Sequence, residues 1–183
     1  MKNSRTSCAI NVIVTTLGLT SAAAMATNFN YTNLEVGFTG NPSGLGATGR
    51  MAFMDGAHFI ANASSQFEGD WLASGGVGFH APVNEFIDIH GDARVYSVKF
   101  PEDDKHDWGD LAYGVNVGAK AWVLPQIEAN LLVGQVAFDS DDTRSVVELG
   151  SRFHSTEILS VGATYRANGL YKEQFYFDVL FNF

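Results

Sequence analysis

The chain has 183 residues, 46% of them hydrophobic, and a formal net charge of −9 from 11 Lys and Arg against 20 Asp and Glu. So acidic a balance speaks against nucleic-acid binding, and a single cysteine excludes an internal disulfide framework or a thiolate-clustered metal centre. One folded domain is the expected count at this length.

Residues 1–26 read as a cleaved secretory signal peptide. Lys2 and Arg5 make a basic start, Cys8 to Leu19 an apolar middle, and Ser21-Ala22-Ala23-Ala24-Met25-Ala26 a small-residue ending with cleavage expected after Ala26. The apolar stretch is too short, and too broken by Asn11, Thr15 and Thr16, for a membrane-spanning helix. Cys8 falls inside the removed segment with no lipobox around it. The mature domain, residues 27–183, then contains no cysteine, and the loss of Lys2 and Arg5 takes its charge from −9 to −11.

After residue 26 no apolar period of 3.6 persists long enough for a helix, and alternation by twos dominates. The expected strands are Phe29–Thr39, Leu45–Met54, His58–Phe67, Trp71–His80, Glu85–Phe100, Leu111–Val123, Ile127–Phe138, Ser145–His154, Ile158–Arg166 and Tyr171–Phe183. Between them stand turn residues: Gly40-Asn41-Pro42-Ser43, Asp55-Gly56, Glu68-Gly69-Asp70, Ala81-Pro82-Val83-Asn84, Pro125-Gln126 and Ala167-Asn168-Gly169. Ten strands are preferred. Eight is the alternative if a weak pair merges, the second and third segments being the weakest.

Side chains of a strand change face at every residue, so alternation sorts the chain into two surfaces. One set is apolar: Leu34, Val36, Ile87, Ile89, Val95, Val115, Val117, Leu131, Val133, Leu149, Val161 and Tyr165. The other carries Glu35, Arg50, Asp88, His90, Asp92, Arg94, Lys120, Glu128, Glu148, Arg152, Arg166 and Asp178. A charge facing hydrocarbon near a bilayer's midplane costs about 2–4 kcal/mol, so these groups are expected inside a barrel and the apolar set outside, against lipid. The fold class is therefore all-β, an antiparallel up-and-down transmembrane β-barrel. Six inward acids nearly balance five inward bases, which points to a salt-bridged filling and not to an ion filter of one sign. Turns near Asp55, Ala81, Pro125 and Ser155 would share one end with the termini, in the periplasm. The loops near Asn41, Gly69, Pro101–Asp110, Asp139–Arg144 and Asn168 would take the other end. Trp71, Trp108 and Phe100, with Trp122, Phe153 and Phe183, are expected in the two aromatic girdles.

The chain resembles the small, porin-like outer-membrane β-barrel proteins of Gram-negative bacteria, a group that includes OmpA-like and OmpX-like barrels. The likeness covers residues 27–183 and is carried by the terminal Phe183 with Phe175, Phe177, Val179 and Phe181 at alternate positions before it, and by the opening strand Asn33-Leu34-Glu35-Val36-Gly37-Phe38. It implies that those five C-terminal residues are read by the barrel-assembly machinery. It further implies an outer-membrane location, with lipid and lipopolysaccharide as surroundings. The acidic loop of Glu102, Asp103, Asp104, Asp107 and Asp110 is expected to be solvated, with divalent-cation bridging to lipopolysaccharide phosphates as the sharper reading.

Three motifs invite chemistry. Gly44-Leu45-Gly46-Ala47-Thr48-Gly49 matches the dinucleotide fingerprint, but that device needs a helix after it and none is expected. His154-Ser155-Thr156-Glu157 supplies the residue types of a hydrolytic triad within one turn, where alignment in space is the open question. Asp88, His90 and Asp92 form an acid-and-histidine set low in their strand. No cofactor, metal site or catalytic residue is expected. The expected function is a structural or surface-interaction role in the envelope. A narrow channel for small solutes is the alternative, and an outer-membrane hydrolase stands behind both.

Overall fold

The computed structural model describes residues 29–40, 43–100, 109–139, 142–168 and 173–183. The segment 1–26 expected to be a signal peptide, Trp108 and most of the acidic loop lie outside the described residues. Alternating sequence becomes ten strands: β1 (Asn33–Gly40), β2 (Ser43–Met54), β3 (Ala57–Ser65), β4 (Trp71–Asn84), β5 (Ile87–Lys99), β6 (Asp110–Leu124), β7 (Ile127–Phe138), β8 (Thr143–His154), β9 (Leu159–Asn168) and β10 (Gln174–Asn182). Each pairs antiparallel with its sequence neighbours, and β1 closes on β10 in a register from Asn33↔Asn182 to Thr39↔Tyr176. The barrel therefore has no free edge. The eight-strand alternative fails because β2 and β3 form separate strands that pair with each other from Leu45↔Ser65 to Met54↔Ala57.

Both termini and the turns at Asp55-Gly56, Glu85-Phe86, Pro125-Gln126 and Ser155–Ile158 lie at one end, called here the terminal end; the other is the loop end. Three of the terminal-end hairpins carry a register shift beside the turn, at Ala52/Met54, Pro82/Asn84 and Trp122/Leu124. Such bulges bend and twist a strand, which a tightly closed sheet requires at its rim. Gly56 sits at φ 79°, a conformation that glycine adopts without steric cost.

Two boundaries depart from the sequence expectation. Ala81-Pro82-Val83-Asn84 is not a turn: β4 runs through it, Pro82 pairing with Asp88 next to the bulge, and the turn is Glu85-Phe86. A proline is tolerated there because the bulge already interrupts the ladder that its missing N–H would have joined. At the start of the chain, Phe29 to Thr32 do not extend β1. The side chains of Phe29 and Tyr31 turn into the lumen, each only 5% exposed, while Asn30 is exposed and Thr32 stays tied to Phe183 and Ala52 at the rim.

The outer face is apolar nearly everywhere. Leu34, Val36, Ile89, Val115, Val117, Leu131, Val133, Leu149 and Val161 are all exposed, as are Phe175, Phe177, Phe181 and Phe183. Val179 is half-buried among them. Rings pair on this face across strands, Phe38 with Phe177 at 5.6 Å, Phe53 with Phe59 at 4.4 Å and Tyr165 with Phe175 at 5.3 Å. Nothing among the described residues covers an apolar surface of this extent on a closed sheet.

Candidate functional site

The inner wall holds the polar chemistry, because the alternate residues of the same strands have nowhere else to go. The structure places all twelve charged or histidine residues named for the interior on that wall, buried or half-buried. Ten of them are joined in four ionic groups, and His90 has a neutral partner. Glu35 of β1 receives Arg50 Nη1 at 3.4 Å and Arg152 Nη2 at 3.2 Å, and Arg152 Nη1 lies 2.6 Å from Asp178 Oδ1 of β10. Glu128 of β7 lies 3.4 Å from Lys120 Nζ and 3.1 Å from His154 Nε2. Arg94 and Asp92, two residues apart on one face of β5, pair through two bonds of 2.7 and 2.6 Å, and Asn116 Nδ2 donates to the same carboxylate at 2.8 Å. Arg166 Nε approaches Glu148 Oε1 at 3.2 Å and its guanidinium covers the Tyr176 ring at 3.9 Å. The ring of His90 is held by Asn130 at 2.9 Å.

Asp88 is the exception. It is 1% exposed and forms no ion pair among the described residues; its hydrogen bond comes from the Tyr31 hydroxyl at 3.3 Å.

Tyr31 belongs to the inserted N-terminal residues. Its ring lies parallel to His80 at 3.7 Å and stacks on His58 at 5.0 Å, while Lys120 Nζ stands 5.0 Å above it. Phe29 stacks on Trp122 at 5.3 Å with an interplanar angle of 12°. Trp122 in turn leans on His154 at 4.7 Å. Glycine makes room for this filling: a Cβ on Gly78 would collide with the His58 imidazole, and one on Gly118 would come within 2.9 Å of His90. The girdle expectation thus fails for Trp122. It shares Lys120's face of β6 and turns inward to meet Phe29. Phe100 also turns inward, against a cluster at the loop end.

That cluster is the second correction to a charge-filled interior. Leu72, Tyr96, Val98, Ala112, Leu132, Val136, Phe138 and Val146 are buried on the inner face of β4 to β8, and Phe100 packs against them. The sequence held the signal in runs such as Val95-Tyr96-Ser97-Val98 and Leu131-Leu132-Val133, which are apolar on both faces.

Interior residues line two cavities among the described residues. One of ≈ 170 Å³ lies toward the loop end, lined by residues such as Asn62, Leu72, Arg94, Tyr96, Arg166 and Tyr176, and it reaches Tyr31 and Lys120. The other, of ≈ 470 Å³, opens at the terminal end between Phe29, Trp122, Glu128, Arg152 and His154. Lys120 is the one residue common to both linings.

The motifs that invited catalysis do not assemble. Ser155 Oγ donates to the Leu159 carbonyl at 2.9 Å while His154 is turned to Glu128, so hydroxyl and imidazole have separate partners. Asp88, His90 and Asp92 point to Tyr31, Asn130 and Arg94 respectively and share no centre. The glycine-rich hexapeptide Gly44–Gly49 lies inside strand β2, with no helix to follow it.

At the sequence level the chain matches no protein-family model, and it matches no curated protein. Among solved structures it is similar to the KdgM porin, with a TM-score of 0.57 and 7% identity over 82% of this chain and 99% of that one. It is also similar to the KdgM porin in complex with disordered oligogalacturonate, with a TM-score of 0.52 and 8% identity over 82% and 99% of the two chains. Identities this low speak for architecture and not for activity. The chain has a porin-like fold, a closed antiparallel barrel of ten strands.

Proposed function

We propose that this chain is an integral outer-membrane β-barrel, shut at rest, with a structural or surface-interaction role and no catalytic one. The observation that carries the reading is the opposition of its two faces. An exterior that is apolar nearly everywhere surrounds an interior whose ions, Asp88 apart, are paired, with Tyr31 and Phe29 turned into the lumen. Hydrocarbon suits the first surface and no soluble environment does. In this reading residues 1–26 direct export, the two-residue turns face the periplasm and the longer loops meet lipopolysaccharide. Phe175, Phe177, Val179, Phe181 and Phe183 serve the barrel-assembly machinery.

Fractionation of a Gram-negative host followed by gel mobility with and without heating tests the reading. The unheated band is expected to come from the outer membrane and to migrate faster than the heated one. Recovery in the soluble periplasm, with no mobility shift, would sink it. In planar bilayers the intact mature protein is expected to give no stable unitary steps.

A second reading, a narrow channel for small solutes, is favoured by one observation. The two cavities approach each other from opposite ends, Tyr31 lining one, Phe29 the other and Lys120 both. The fold shared with a protein named as a porin agrees with it.

A further inference from the structure

The ten strands account for their own backbone through the ladder, but residues 29–31 lie outside it. Around them the ties are few. Phe183 N donates to the Thr32 carbonyl at 3.1 Å, Asn30 Nδ2 donates to the Phe183 carbonyl at 3.2 Å, and Ala52 N donates to Thr32 Oγ1 at 3.1 Å. The contacts that hold the two rings include stacking on Trp122, His80 and His58, the Lys120 ammonium over both rings and the Tyr31 hydroxyl on Asp88, while Asn33 Nδ2 donates to the Asn30 carbonyl at 2.9 Å. Contacts of this kind can be made and broken without opening a single strand pair. They also sit where the lumen is divided, Tyr31 on the loop-end cavity and Phe29 on the terminal-end one.

The same hydroxyl covers a charge. Among the described residues Asp88 is the inward strand acid with no ion pair, Lys120 standing opposite it in register, so withdrawing Tyr31 takes away the hydroxyl that its carboxylate accepts from. Around the division stand Glu35, Asp88, Glu128 and Asp178 against Arg50, Lys120 and Arg152, with the imidazoles of His58, His80, His90 and His154 among them. Imidazoles aside, the acids exceed the bases by one. A low-dielectric wall amplifies such an imbalance.

We infer that Phe29 and Tyr31 form a removable partition across a permeation path that favours small inorganic cations, with Asp88 as the residue that sets the preference. The inference rests on the channel reading above and deepens it by naming the closing element and the class of solute. Once the two rings swing out toward the terminal end, the two cavities join along Lys120 and Asp88.

The test is conductance of the purified mature barrel in planar bilayers under a potassium chloride gradient. Wild type is expected to be silent. The Phe29→Ala/Tyr31→Ala variant is expected to give stable unitary steps whose reversal potential reports cations over anions. Adding Asp88→Asn should keep the steps and remove the preference. Should the double variant fold poorly, Tyr31→Ser alone retains the Phe29 stack on Trp122 and is read in the same way. Silence from variants that still show the heat-dependent mobility shift would overturn the partition while leaving the membrane-barrel reading intact. Steps of equal size from wild type would overturn it too. Anion preference, or cation preference that survives Asp88→Asn, would overturn the role of Asp88. Loss of the mobility shift in wild type itself would defeat the membrane reading and this inference together.

Discussion

Toward the termini the lumen is held by charges, Glu35 between Arg50 and Arg152 and Glu128 between Lys120 and His154, whereas toward the loops the wall of β4 to β8 is closed by Tyr96, Val98, Val136 and Phe138. Both regions fill a narrow barrel, but they differ in what each residue demands of its neighbours. An ion taken from water has to find its counter-ion, so every member of the ionic region depends on a named partner. An apolar side chain has only to fill space, and its loss is felt as volume. The ionic end is therefore brittle to single changes and the apolar end graded.

Glu35→Ala is the change expected to hurt most. It leaves Arg50 without a carboxylate and Arg152 with Asp178 alone, at about 3–5 kcal/mol for a broken buried pair, and nearer the lower figure because the two arginine side chains keep 22% and 14% of their exposure and Arg152 keeps a partner. Urea unfolding in lipid vesicles, followed by heat-dependent mobility, measures it. A loss under about 1 kcal/mol would show that lumen water already carries those charges. The comparison then extends to the outside of the wall. Val117→Lys, on the outer face in the middle of β6, is expected to cost about 2–4 kcal/mol in a bilayer, while Leu111→Lys near the loop end costs about 0–1. Equal costs at the two sites would argue against hydrocarbon around the strand centre.

Within the apolar end, Val98→Ala removes two methyl-sized groups from a fully buried site and is expected to cost about 1.5–2 kcal/mol in the same unfolding assay. The smallest effect sharpens the contrast most. Replacing both members of one pair, Arg166→Met with Glu148→Leu, is expected to change stability by about 1 kcal/mol or less, of either sign, because no charge is left without its partner. Each single replacement should cost more than the double. If the double mutant costs the sum of the singles, the two residues act separately and the pair contributes nothing as a pair.

Much of the barrel was legible in one dimension because a strand's period of two is geometric. Glu35 beside Leu34 and Val36, or Lys120 beside Ala119 and Ala121, needs no tertiary knowledge to be placed on the opposite wall. Asp55-Gly56 and Pro125-Gln126 announce their turns by residue type. Pro82 misled because a proline normally ends a strand, and only the bulge beside it makes room within one. Trp122 misled because an aromatic at a strand end suits an interfacial girdle equally well until Phe29 is seen to meet it. Phe29 and Tyr31 continue the alternation of β1 without a break, and nothing local marks the point where the chain leaves the wall.

Alternation along the chain by itself favoured ten crossings over eight and put the charged side chains on the inner face, since the pleat enforces facing locally. That the ten close on one another, and that Trp122 and Phe100 also face in, was decided by the tertiary structure. Which acid meets which base was decided only by closure, which brings Arg152 of β8 to Glu35 of β1 across 117 positions of sequence. The same closure decided that the side chains of Phe29 and Tyr31, ahead of β1, turn inward. A lumen too wide for its own side chains has to be filled by whatever chain lies nearest, and that choice depends on a volume no linear pattern records.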